Sequence, residues 1–85
     1  MRTRPHLSLY QYSSCPYCAR VLGALDRLDL DVELRDVLEN REHLRELVQA
    51  TRRTTVPCLR IEHSDGRVEW LHESLDIIRY LEAGR

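Results

Sequence analysis

An 85-residue chain with a formal net charge of −1, 42% hydrophobic and 32% charged residues has the makings of one small globular domain, not a disordered tail. The near-neutral balance argues against a dedicated nucleic-acid or acidic-membrane binder. All 13 basic residues are Arg and only 3 Gly are present, which excludes a lysine Schiff base, a Walker-type phosphate loop and a glycine-rich cradle.

A single domain over residues 1–85 is expected, with no linker, repeat or low-complexity segment. Met1 to Pro5 is charged, and the apolar stretch after it is broken by Ser8 and Gln11, so no secretory signal is expected. No run approaches the ~18 apolar residues of a membrane span. The expected compartment is the cytoplasm, where a Cys pair is redox-active or metal-binding more often than a structural disulfide. With 3 Cys, at most one internal pair can form.

His6 to Tyr12 alternates, with Leu7 and Leu9 against Ser8, Tyr10 and Tyr12, and predicts a first strand. Ser13 and Ser14 break it. Pro16 suits the first position of a helix, where its missing N–H costs nothing, and Cys15 becomes the N-cap. Val21, Leu22, Leu25 and Leu28 then recur at helical spacing, predicting a helix over 16–28. Asp29-Leu30-Asp31 is a turn, and 32–37 reads as a second strand with Val32 and Leu34 on one face. Asn40 is suited to cap a second helix that buries Leu44, Leu47 and Val48 and ends near Arg52. Residues 55–62 are β-rich, Ser64-Asp65-Gly66 supplies hairpin chemistry, and 68–71 returns as a fourth strand. Glu73 to Glu82 reads as the last helix, with Leu75, Ile78 and Leu81 facing in and Gly84 as its stop signal. The order β-α-β-α-β-β-α demands one parallel pair with a right-handed crossover and one antiparallel hairpin. An α/β fold meets both demands: a four-stranded mixed sheet with three helices spread over its two faces.

Cys15-Pro16-Tyr17-Cys18 falls at the first strand-to-helix junction. A sulfur placed there meets unpaired backbone N–H groups and the positive end of the helix dipole, both of which favour the nucleophilic thiolate. The dipole is worth at most ~2 kcal/mol, enough to bring a thiol from ~8.5 to ~7. Going lower requires hydrogen bonds from the Tyr17 and Cys18 N–H groups and the Cys18 thiol, or help from Arg20 or Arg53. Cys15 is therefore the candidate nucleophile and Cys18, one turn on, the candidate resolving thiol, with inert packing as the alternative for Cys18. A zinc site would need Cys58 and His63 or His72 in addition, and no metal site is assigned. Cys58 follows Pro57 on a strand and should turn to the opposite face as a buried packing thiol.

The Cys15-Pro16-Tyr17-Cys18 motif, Thr54-Thr55-Val56-Pro57 at the third strand and Glu73-Ser74 at the last helix together resemble glutaredoxin of the dithiol class, over about residues 6–83. The stretch from Trp70 to Ile78 is instead similar to the N-terminal domain of glutathione transferases, and their all-helical second domain is not expected here. The resemblance implies a thioredoxin-like fold. It implies a cis Pro57, with the Val56 backbone pairing with the cysteinyl part of glutathione. It places the γ-glutamyl end at Glu73 and Ser74, the glycyl carboxylate at Arg53, and Tyr17 beside the groove. Two departures stand out: Tyr12 occupies the place of a Lys common in glutaredoxins, and Trp70-Leu71-His72 replaces a Gly-rich turn.

The activity implied is that of a monomeric, glutathione-dependent thiol–disulfide oxidoreductase. Glutathione is its reducing co-substrate, and glutathionylated or disulfide-bearing proteins are its clients. No cofactor is bound, and neither nucleic acid nor membrane is a partner. Cys15 attacks, and either a second glutathione or Cys18, through a Cys15–Cys18 disulfide, completes the turnover. Two alternatives have their own signatures. A [2Fe–2S] carrier using Cys15 and glutathione is opposed by the stiff Pro16. A glutathione transferase-like reductant is opposed by the expectation of a single domain, and a thioredoxin-like one by Pro-Tyr between the cysteines.

Overall fold

In the computed structural model, which describes residues 4–83, seven elements follow one another: β1 (His6–Gln11), α1 (Pro16–Leu28), β2 (Glu33–Asp36), α2 (Arg41–Thr51), β3 (Cys58–Glu62), β4 (Val68–Leu71) and α3 (Ser74–Glu82). The sheet runs β2-β1-β3-β4. β1 and β2 are parallel, while β3 is antiparallel to both β1 and β4. This is the mixed sheet with three helices that the element order demands. Among the described residues no helix is long and apolar enough to cross a membrane. The stop signal read at Gly84 lies outside the described residues.

β1 is central and is covered on both faces, so its alternation does not separate core from solvent. Leu7 and Leu9 join Val21 and Leu25 of α1, Leu59 and Ile61 of β3, and Ile77 and Leu81 of α3 in one cluster. On the other face Tyr10 packs with Val37, Leu47 and Cys58 beneath α2, flanked by Tyr12, Leu44, Val56 and Trp70. The Tyr10 ring is fully buried, yet its hydroxyl is satisfied: it donates to Glu46 Oε1 at 2.9 Å and accepts from Arg35 Nη1 at 2.6 Å.

Helix ends follow local chemistry. Asn40 Oδ1 caps α2 by accepting the Glu42 N–H at 2.9 Å, and α1 closes on Asp29 in the left-handed region at φ 54°.

Three expectations need correction. β3 begins at Cys58 rather than Thr55, because residues 52–57 form a connecting loop in which the Val56–Pro57 bond is cis. Leu34, read with Val32 on one face of a strand over 32–37, is exposed on β2, which is shorter and lies at the sheet's edge. Leu75, expected to face in, is also exposed; Leu81 is buried and Ile78 packs against the core as expected, and the inner face of α3 is completed by Ser74 and Ile77.

Candidate active site

The turn from β1 into α1 is drawn tight by the Cys15 N–H, which donates to the Tyr12 carbonyl at 3.2 Å. Cys15 is the N-cap of α1, with Pro16 following in the first turn. Its Sγ accepts the Cys18 backbone N–H at 3.3 Å, as an oxygen side chain does in ordinary capping. Burial pushes the Cys15 thiol up, but it is outweighed by the Cys18 thiol, the Cys18 and Tyr17 backbone N–H groups and the Tyr12 side chain, and the net shift is downward. Cys18 moves the other way, raised first by burial and then by donating to the Cys15 sulfur. The donors gathered on Cys15 and the burial of Cys18 thus separate the two thiols, favouring the ionised form at Cys15 and the protonated form at Cys18. All three cysteines are free thiols in this structure.

The groups that favour the Cys15 thiolate are local. Arg20 lies over the Tyr17 ring, its guanidinium carbon 5.6 Å from the ring centre. Tyr12 therefore stands where the resemblance leads one to look for a lysine, and contributes a neutral hydrogen bond in place of a charge.

A cavity of about 510 Å³ is lined by Tyr17, Arg53, Val56, Pro57, Glu73 and Ser74, a volume in the ~300–1,000 Å³ range of small-ligand sites. All six candidate binding residues thus converge. Cys15 is not in its lining; it is buried at the N-cap two residues before Tyr17. Arg20, Thr55, His72, Leu75, Asp76 and Arg79 complete the wall. Sequence reading left these out of the binding set, although Leu75, Asp76 and Arg79 follow from extending the Glu73-Ser74 helix by one turn.

The α3 end of the cavity offers opposite charges side by side. The first-turn N–H groups of α3 favour an anion, while Glu73 presents a carboxylate and the exposed Arg79 lies 3.8 Å from Asp76. Ser74 is not the N-cap. Glu73 is, without a side-chain capping bond, and it sits at φ 71°. A non-glycine residue there costs ~1–3 kcal/mol and marks functional sites more often than chance.

Cys58 does not line the cavity. It is fully buried in the cluster beneath α2, where burial, opposed by Arg53, pushes its thiol up to about 12.

A fold of this order, with a capping cysteine over the first helix and a ligand-sized cleft beside it, defines a thioredoxin-like domain. The family model for the glutathione S-transferase N-terminal domain matches residues 9–84, and the chain belongs to that family. Among solved structures it is similar to the trimeric glutathione transferase TDR1 of Leishmania, at 28% identity and a TM-score of 0.74 over 92% of this chain and 17% of that one. It is similar also to maleylacetoacetate isomerase from Anaeromyxobacter dehalogenans with bound glutathione, at 32% and 0.64 over 96% and 38%. Glutaredoxin 2 from Salmonella typhimurium, in complex with glutathione, matches at 28% and 0.63 over 94% and 34%. The chain thus spans 17% to 38% of the length of these proteins. No curated protein matches the sequence.

Proposed function

We propose that this domain is a glutathione-dependent thiol–disulfide oxidoreductase of the glutaredoxin type. The observation that carries the reading is the divergence of the two thiols, Cys15 lowered and Cys18 raised, beside a cavity that gathers Arg53, Val56, Glu73 and Ser74. The cavity's mixed charge suits glutathione, with one carboxylate for Arg53, a second for the α3 N-terminus and an ammonium for Glu73. The Val56 backbone would pair with the cysteinyl residue between them. Tyr17, more than half exposed, would flank the sulfur-bearing part of the ligand.

In the reaction, the Cys15 thiolate attacks the glutathionyl sulfur of a protein–glutathione mixed disulfide. A Cys15–glutathione bond forms as the client bond breaks, and the client leaves as a thiolate that takes up a proton. A second glutathione thiolate then attacks the glutathionyl sulfur, restoring Cys15 and yielding glutathione disulfide. For client disulfides, Cys18 loses its proton and expels the bound partner, closing a Cys15–Cys18 disulfide that two glutathiones reduce. The high affinity of Cys18 for its proton favours the route through the second glutathione.

Steady-state reduction of a glutathionylated peptide tests the assignment. Cys15→Ser is expected to abolish turnover, whereas Cys18→Ser retains most of it. Turnover persisting in Cys15→Ser removes Cys15 as the nucleophile. The family match favours a second reading, in which the thiolate of a glutathione bound in the same cavity attacks a small electrophile and forms a thioether as the electrophile's leaving group departs. Conjugation of an electrophilic substrate without mixed-disulfide reduction would select it.

A further inference from the structure

A cation of the cavity wall has no task in the glutathione reading. Arg20 stands three residues after Tyr17 on α1, a spacing that puts two side chains on one helix face, and its guanidinium carbon lies 5.6 Å from the centre of the Tyr17 ring. Both residues are exposed and both line the cavity. No carboxylate among the described residues pairs with Arg20. Nor does its charge support the nucleophile, since the groups that lower the Cys15 thiol are Cys18, Tyr17 and Tyr12. The other charges of the wall have partners or assignments. Arg79 lies 3.8 Å from Asp76, Arg53 and Glu73 are assigned to a carboxylate and the ammonium of the ligand, and burial favours the neutral form of His72.

The position of Arg20 indicates what it meets. Tyr17 flanks the sulfur-bearing part of the ligand in that reading, so a charge resting on the Tyr17 ring lies beside the place where a client cysteine enters as half of the mixed disulfide. Leu75, at 56% exposure, and Tyr17, at 57%, add open apolar surface to the same wall. Exposed apolar groups next to an unpaired cation suit a polypeptide that carries an acidic side chain. Resting on the reading of this cavity as a glutathione site, we propose that the wall formed by Arg20, Tyr17 and Leu75 is a client-docking surface, and that Arg20 makes the domain prefer proteins with an Asp or Glu beside the glutathionylated cysteine. Because Arg20 is exposed, its pull is modest, screened by salt, and felt chiefly in the rate at which client and domain meet. It acts on the choice of substrate and takes no part in making or breaking bonds.

Reduction of two synthetic glutathionylated peptides, alike except that either Glu or Gln flanks the modified cysteine, tests the proposal, each rate being taken relative to that peptide's uncatalysed reduction by glutathione. The reaction has two half-steps and only the first contains the client, so kcat/KM for the peptide and kcat/KM for glutathione read them separately. At low ionic strength the wild type is expected to prefer the Glu peptide about threefold to fivefold, and about 0.5 M salt should erase most of the difference. Arg20→Gln should bring the two peptides level, Arg20→Lys should keep the preference, and Arg20→Glu should reverse it. A wild type indifferent to the flanking charge overturns the proposal, as does a preference that survives in Arg20→Gln. A loss in Arg20→Gln that is equal for both peptides and recurs in kcat/KM for glutathione makes Arg20 a glutathione ligand, which also overturns the proposal and leaves the glutathione reading intact. A wild type that reduces neither peptide overturns that reading itself.

Discussion

The backbone N–H of Cys18 points at the Sγ of Cys15 across 3.3 Å, and that contact, with the Cys18 thiol as a second donor, ties the reactivity of one sulfur to the geometry of the other. Cys18→Ala removes the thiol donor and keeps the N–H, so the Cys15 thiolate should lose part of its support. Cys18→Ser restores a donor of the same reach. The rate of iodoacetamide alkylation against pH should therefore inflect below the ~8.5 of a free thiol in the wild type, higher in Cys18→Ala and between the two in Cys18→Ser. Superimposable profiles would remove the side-chain hydrogen bond from the account.

Buried thiols also shape alkaline stability, with a fixed sign. A folded-state pKa raised above the unfolded value contributes stability that is complete below the unfolded value and is lost as pH rises toward the folded one. Cys58, pushed up to about 12 by burial, defines such a window, opening near the ~8.5 of an unfolded thiol and closing near 12. The reduced wild type should lose thermal stability steadily across it. Cys58→Ala should start from a lower Tm, since a packed sulfur is gone, yet decline less steeply over the same range. Parallel declines in the two proteins would show that Cys58 ionises as readily folded as unfolded.

The order of elements was legible because each boundary carries its own chemistry: Pro16 after Cys15, Asn40 before α2, and Ser64-Asp65-Gly66 at the hairpin. Apolar spacing alone was less informative. Leu34 and Leu75 continue apolar patterns but lie beyond the cover of neighbouring elements, Leu34 at the sheet's edge and Leu75 rotated away from the face that Ser74, Ile77 and Leu81 turn to the core. On β1 the alternation was real but did not mean inside against outside, because helices cover both faces. The six binding candidates came through motifs, whereas Arg20 of α1 and Arg79 of α3 meet in the same cavity wall, a convergence of two helices that no local pattern encodes.

Tyr10 offers a stability test remote from the chemistry. Its hydroxyl joins Glu46 on α2 to Arg35 on β2 from a fully buried ring. Tyr10→Phe keeps the ring packed and deletes both bonds, leaving Glu46 and Arg35 paired directly at 3.2 Å. Chemical denaturation should register a loss of ~1–2 kcal/mol, with the alkylation profile of Cys15 unchanged. A shift in that profile would mean that the network beneath α2 reaches the active-site turn.

Glu73 places stability and binding in opposition. At φ 71° it holds a conformation that glycine adopts freely, and it makes no side-chain capping bond that its removal would break. Glu73→Gly should therefore raise thermal stability by relieving ~1 kcal/mol or more of backbone strain, less the flexibility that glycine adds to the unfolded chain. The same change deletes the carboxylate proposed to meet the ligand's ammonium, so the KM for glutathione should rise severalfold while Cys15 alkylates as before. Glu73→Gln separates the two effects, since it keeps the strain and loses only the charge: its KM should rise with no gain in Tm. A Glu73→Gly protein that is both less stable and equally able to use glutathione would mean that the residue serves the loop and not the ligand.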